Sequence, residues 1–123
     1  MCEGSDITEI HLPEQGLSNV LADSLQYLTA LKVLDLSNNH ELSGQFPDFL
    51  NHMTALTHLD ISNCKLRGRV LAWNYTQYAF CSIGGRGNRY CDPVPTEALG
   101  CNRTEILQSR IPCRPGGAEN LQR

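Results

Sequence analysis

The feature that most constrains this chain is a spelling that recurs at a nearly fixed step. Residues 31–56 read LKVLDLSNNHELSGQFPDFLNHMTAL, with apolar side chains at Leu31, Leu34, Leu36 and Leu42, then Phe46, Pro47, Leu50, Met53 and Leu56. That order fits neither a helix of period 3.6 nor a strand of period 2. Leu34 and Leu36 share one face of a short strand, and Asp35 lies on the other. Asn39 then sits where a turning chain needs a side-chain amide to satisfy open backbone groups. The same spelling occurs upstream, through Ile7, Ile10, Leu12, Gln15, Leu17, Leu21, Leu25 and Leu28, and downstream, through Leu56, Leu59, Ile61, Cys64, Leu66, Gly68 and Val70. Starts at Ile7, Leu31 and Leu56 give steps of 24 and 25, the extra residue falling within Asn39-His40-Glu41-Leu42. A period of this length predicts a solenoid, in which no unit buries its apolar face alone and stacking creates the core.

LDLSNNHELSGQFPDFL resembles the extracellular plant-type leucine-rich repeat, LxxLxLxxNxLxGxIPxxLxxL, and the resemblance runs from about Ile7 to Val70. Gln15 and Cys64 stand in place of the ladder Asn, Asn19 in place of the Gly, and Ala22 and Leu71 in place of the Pro. The resemblance implies an α/β repeat fold: a short leucine-rich-repeat solenoid with a parallel concave sheet. It implies a receptor-ectodomain-like chain or, in a second reading, a soluble inhibitor or decoy of the polygalacturonase-inhibitor type. In either case a protein or peptide ligand would bind on the concave sheet.

Stacked strands about 4.8 Å apart bring equivalent positions into columns on that sheet. Thr8, Lys32 and Thr57 form one; Glu9, Val33 and His58 the next; then His11, Asp35 and Asp60; Pro13, Ser37 and Ser62; and Glu14, Asn38 and Asn63 at the edge. The surface is polar and mildly acidic, with Val33 its one plain hydrophobe. Lys32, Val33, Asp35, Thr57, His58 and Asp60 are the expected partner-binding residues, the acidic pair favouring a basic partner. Asp and Ser also recur there simply as part of the LDLS strand spelling. Gln45, Asp48, Asn51 and His52, on the opposite side, need only be soluble.

Beyond Val70 the spelling fails in the sequence: Asn74 falls at the slot of Leu25 and Leu50, and Gln77 at that of Leu28 and Met53. Trp73, Tyr75, Tyr78 and Phe80 concentrate aromatics where an open solenoid end needs a lid. Cys81, Cys91, Cys101 and Cys113 follow, separated by turn chemistry with little apolar material, so two disulfides are expected to supply the order, with all three pairings open. A zinc site would need four widely spaced thiolates. Glu97–Leu107 reads as a short helix. The expected organisation is therefore a remnant of an N-terminal cap at 1–6, three repeats at 7–70, a mostly irregular, disulfide-rich C-terminal cap at 71–114 and a disordered tail at 115–123. Cys64 is expected to be a buried free thiol and Cys2 exposed.

With 123 residues the core is small. A net charge of −3 argues against nucleic acid or an anionic membrane as the electrostatic partner, and no stretch is long and apolar enough to span a membrane. Six cysteines and two sequons, at Asn74 and Asn102, fit an oxidising, extracellular or cell-surface setting. Met1–Asp6 lacks the basic and apolar regions of a signal peptide, which is expected of a fragment or truncated copy. Ser82-Ile83-Gly84-Gly85-Arg86-Gly87 lacks the Gly-Lys-Ser/Thr of a phosphate loop, and no nucleophile, base and orienting partner can be assembled. The chain is read as a non-catalytic binding module without cofactor or metal, either a monomer or one segment of a longer array. A non-functional truncated copy is the remaining reading.

Overall fold

The computed structural model describes residues 7–113. Within them the chain winds in coils that place one short strand in each of two sheets. The first sheet is β1 (Glu9–His11), β3 (Val33–Asp35), β5 (His58–Asp60) and β7 (Phe80–Ser82), in that order. The second is β2 (Ser18–Val20), β4 (Glu41–Gln45), β6 (Lys65–Gly68), β8 (Arg89–Cys91) and β9 (Arg110–Ile111). Every pairing is parallel. The 3-10 helices Asp23–Tyr27, Asp48–His52, Tyr75–Gln77 and Thr96–Gly100 carry the chain back between coils. The architecture is a short repeat solenoid with a disulfide-rich C-terminal cap.

The repeated leucines form the core because each coil points them at the next. Leu34, Leu36, Leu59 and Ile61 are 1%, 3%, 0% and 0% exposed. Ile7, Ile10, Leu17, Leu21, Leu25 and Leu28 of the first coil are only half-buried, being packed on one side alone. Asn39 stitches two coils together: its Oδ1 accepts from Gln15 N at 2.9 Å and Leu17 N at 3.0 Å, and its Nδ2 donates to Leu12 O and Leu36 O. Cys64, in the same slot, donates only weakly, from Sγ to Leu36 O at 3.3 Å and to Ser62 O at 3.6 Å. Asn19 departs from the Gly of the spelling yet adopts φ 66, in line with Gly44 at 105 and Gly68 at 93. Asn tolerates that left-handed backbone, so the substitution is absorbed.

The boundary expected at Val70 is not a break in the structure, because both ladders run across it. The bond from Tyr78 N to Tyr75 O repeats those from Leu28 N to Leu25 O and Met53 N to Leu50 O. Tyr75 and Tyr78, not Asn74 and Gln77, therefore fill the apolar slots, one residue away from the position a constant step assigns. The following turn is missing: Leu56 is followed directly by Thr57, Tyr78 by Ala79, and Ala79 N bonds Thr57 O just as Thr57 N bonds Lys32 O. Tyr78 thus stands for both Met53 and Leu56, and the Gln77 side-chain amide donates to the carbonyls of those two residues. On the other side Asn63 N bonds Gly84 O and Gly85 N bonds Glu105 O, the next steps after Asn38 N to Ser62 O. Gly85 takes the turn slot of Asn38 and Asn63, and Arg86-Gly87 is an insertion before Asn88.

Asn88 is the second ladder asparagine. Its Oδ1 accepts from Leu66 N at 2.9 Å, and its Nδ2 lies 3.0 Å from Ile61 O and 2.9 Å from both Ile83 O and Gly84 O. The ladder thus runs into the cap, while the stretches between its short elements, such as 83–88 and 92–95, are irregular as the sequence reads. Its lid is aromatic as expected: Trp73 stacks on Tyr75 with centroids 4.6 Å apart, and Phe46 meets Trp73 and Tyr90 at 5.5 and 5.6 Å.

Where a fifth strand of the first sheet would follow, the chain forms α1 (Arg103–Gln108). A Cβ on Gly84 would lie 2.5 Å from the Glu105 carbonyl carbon, so α1 packs this closely only against a glycine. The single helix expected over Glu97–Leu107 is instead two pieces. Cys101 is held to Cys81 by a disulfide, and Asn102, at φ 59, breaks the path between the 3-10 helix and α1. The second disulfide joins Cys91 to Cys113. Loops of 20 and 22 residues correspond to about 3 kcal/mol each in the chain-entropy account. The expected cap remnant at 1–6, with Cys2, and the tail at 115–123 lie outside the described residues.

Candidate binding face

In-register parallel pairing turns equivalent residues into rows across the first sheet. One row is Glu9, Val33, His58 and Phe80; the next is His11, Asp35, Asp60 and Ser82. A third, given by bonds from Lys32 N to Thr8 O, Thr57 N to Lys32 O and Ala79 N to Thr57 O, is Thr8, Lys32, Thr57 and Ala79. All six residues expected to bind a partner fall on these rows. Lys32 and His58 are exposed, while Val33, Asp35, Thr57 and Asp60 are half-buried.

The aspartates have a local task as well. Asp35 Oδ1 accepts from Ser37 N at 3.1 Å and Ser37 Oγ at 2.7 Å, and Asp60 Oδ1 accepts from Ser62 N at 3.1 Å and Ser62 Oγ at 2.6 Å. Asp-x-Ser therefore closes the exit turns of β3 and β5, which explains why the pair recurs in the spelling. Burial pushes the Asp60 carboxyl above the usual carboxylate range. The Ser62 bonds oppose that shift, and the charges of Asp35 and Glu105 add to it.

Phe80 was expected in the lid. Instead β7 turns it outward, 49% exposed, beside His58 in its row. The shortened turn after Tyr78 hid this from the sequence; the usable signal was the alternation Cys81-Ser82-Ile83, two inward slots flanking an outward one. Glu105 was missed too: α1 brings it to the end of the acidic row, where its Oε1 accepts from Ser82 Oγ at 2.6 Å. Between the rows lies a hollow of about 280 Å³, with Val33, His58 and Phe80 on one wall and His11, Asp35 and Asp60 on the other. A larger hollow of about 600 Å³ lies at the second sheet, among Val20, Gly44, Gln45, Phe46, Pro47 and Arg67. Its Gly44, Phe46 and Pro47 belong to the repeat spelling of the second coil.

His11 does not join Asp35 and Asp60 in a metal-binding set. Its Nε2 donates to Glu9 Oε1 at 2.8 Å, and no group of three or more ligating side chains suited to a metal occurs among the described residues. Asn74 and Asn102 are both exposed. Asn74 Oδ1 accepts from Thr76 N and Oγ1, and Asn102 Oδ1 from Glu105 N. Cys64 is free and buried, and burial raises its thiol to about 11.

Residues 5–66 match the leucine rich repeat family. Over 42 residues the chain is 55% identical to phytosulfokine receptor 2 of Arabidopsis thaliana; the alignment covers 31% of this chain and 4% of that receptor. No solved structure matches. The likeness to a stretch of a plant receptor agrees with the plant-type spelling, the two sheets and the asparagine ladder. The chain belongs to the leucine-rich repeat family, in its plant-type form.

Proposed function

We propose that this chain is a non-catalytic recognition module that binds a protein or peptide through the face of its first sheet, as part of an extracellular or cell-surface protein. The observation that carries the reading is the set of rows itself. Lys32, Val33, Thr57, His58 and Phe80 are solvent-facing positions that differ from coil to coil, while the inward slots beside them repeat. A fold that specifies its inward positions and leaves its outward ones free presents a surface available for a ligand. The plant receptor likeness supports a receptor-like role, and the two disulfides and the exposed sequon asparagines fit an oxidising, glycosylating route.

The test is to immobilise the secreted protein, select binders from a displayed library of random peptides, and rebind the selected clones to two variants. Asp35→Lys with Asp60→Lys should abolish rebinding, whereas Asp48→Lys, on the exposed 3-10 helix outside both sheets, should leave it unchanged. Melting curves for both variants separate loss of the face from loss of the fold. Equal effects of the two changes in folded protein would refute binding at this sheet.

A further inference from the structure

Resting on that reading, we infer that the C-terminal cap is part of the binding face, and that together they fit an extended peptide segment carrying an apolar side chain beside a cationic one. The inference stands on a division within the hollow. Its walls are two neighbouring rows, about 6.6 Å apart because same-face residues alternate along a strand. The wall of Val33, His58 and Phe80 is aromatic and apolar apart from the His58 ring nitrogens, and the wall of His11, Asp35 and Asp60 carries two carboxylates beside the His11 imidazole. The cap extends both. β7 adds the half-exposed Phe80 ring to the first wall, and α1 places Glu105 at the end of the acidic row, just beyond the hollow, through its hydrogen bond with Ser82.

The Phe80 ring does not serve the core, whereas Glu105 also satisfies the hydroxyl of buried Ser82. Ring burial in the lid is already supplied by Trp73, Tyr75, Tyr78 and Tyr90, each 9% exposed or less, whereas Phe80 keeps half its surface in water. Three carboxylates, Asp35, Asp60 and Glu105, are brought close enough for Asp35 and Glu105 to disfavour charge on Asp60, a cost that a bound cation removes. The hollow, at about 280 Å³, stands at the lower edge of the roughly 300–1,000 Å³ of small-molecule clefts, which is room for inserted side chains. A sheet face about four strands wide, with rows running across the strands, lets an extended segment lie along both walls at once.

The probes are synthetic peptides of one length. The first combines lysine or arginine with leucine or phenylalanine, the second replaces the apolar residues by serine, and the third replaces the cations by glutamate. By titration calorimetry the first should bind the intact chain about tenfold or more tightly than either other, the step that corresponds to ~1.4 kcal/mol. Phe80→Ala should lower that affinity about tenfold without moving the melting temperature, since the ring is outside the core. Glu105→Gln should weaken binding and reduce its dependence on salt. Equal binding of the first two peptides, or of the first and third, overturns the inference. So does a Phe80→Ala variant that binds as the unaltered chain does. If the double aspartate reversal still abolishes rebinding of library clones while Phe80→Ala is silent, the sheet remains the binding face and only the role of the cap fails.

Discussion

Replacing Asn88 by Ala probes the claim that the cap is a continuation of the coils. Asn88 is fully buried, and its amide links three backbone segments: Leu66 N of the preceding coil, Ile61 O of the same coil, and Ile83 O and Gly84 O of its own. Two amide hydrogens are shared among the three carbonyls, so about three hydrogen bonds are at stake, each worth ~1 kcal/mol net. Two of the carbonyls keep other donors, Ile83 O from Tyr90 OH and Gly84 O from Asn63 N. The N–H of Leu66, a residue 1% exposed, loses its Asn88 acceptor, and leaving that donor unsatisfied costs ~1–3 kcal/mol in place of one of the three net bond energies. The expected loss is therefore about 3–5 kcal/mol, a large share of the ~5–15 kcal/mol typical of a domain.

At ~4–8 °C per kcal/mol for a small domain, the melting temperature should fall by about 12–40 °C, as followed by far-ultraviolet circular dichroism. The matched control is Cys64→Ala, in the corresponding slot of the coil before it, where the thiol makes only two weak bonds at 3.3 and 3.6 Å. That change should cost ~1–2 kcal/mol, mostly as lost packing. Asn88→Ala melting within a few degrees of the unaltered chain, or no lower than Cys64→Ala, would refute the ladder through the cap.

Two further outcomes follow from the thiols and from Asp60. Protein folded in an oxidising compartment should show two thiols in denaturant, Cys2 and Cys64, of the six cysteines present; in native buffer near pH 8, Cys64 should stay silent because burial holds its thiol near 11. Six reactive thiols in denaturant would contradict the oxidised cap. For Asp60, a carboxyl raised on folding costs stability in full above its folded value and nothing below the ordinary value of about 3.9, so stability falls as pH rises between the two. Asp60→Asn keeps an oxygen for Ser62 but loses that slope, so its melting temperature should gain on that of the unaltered chain as pH is raised through this window; parallel curves would show that Asp60 carries no such cost.

Much of the solenoid was legible because the repeat writes its inward positions in large aliphatic residues. Leu34, Leu36, Leu59 and Ile61 could be assigned from spelling alone, and the rows holding Lys32, Val33, Asp35, Thr57, His58 and Asp60 followed from strand geometry. The fourth coil was harder because its inward slots hold unfamiliar residues. Cys81 stands opposite Leu59, Tyr78 does the work of two aliphatics, and Asn88, though 24 residues after Cys64, lies two residues farther past its turn slot Gly85 than Asn39 lies past Asn38. Phe80 is hidden with them: an aromatic in a stretch without the repeat spelling reads as lid material unless the alternation Cys81-Ser82-Ile83 is weighed, and the β5–β7 register shows that it faces out. Glu105 had no local signal at all, since its place on the face depends on α1 standing where a strand would be.

The failure has a physical cause that applies to the whole coil. Residues in the two sheets are fixed by hydrogen bonds to the preceding coil, so a change in chain length can be taken up only in the connections. Here a turn of three residues is lost after Tyr78 and two residues, Arg86 and Gly87, are gained after Gly85, and neither disturbs the pairing of His58 with Phe80 or of Arg67 with Arg89. Loop length is a weak term in stability, about 0.6 kcal/mol per doubling, whereas a slip of one residue in a strand would turn every inward side chain outward. The period is thus the least protected property of a solenoid and the ladder the most protected. For this chain, the side chains on the outer face of the first sheet are accordingly set by the bonds from Ala79 N and Phe80 N to Thr57 O, which carry that face past the point where the spelling stops.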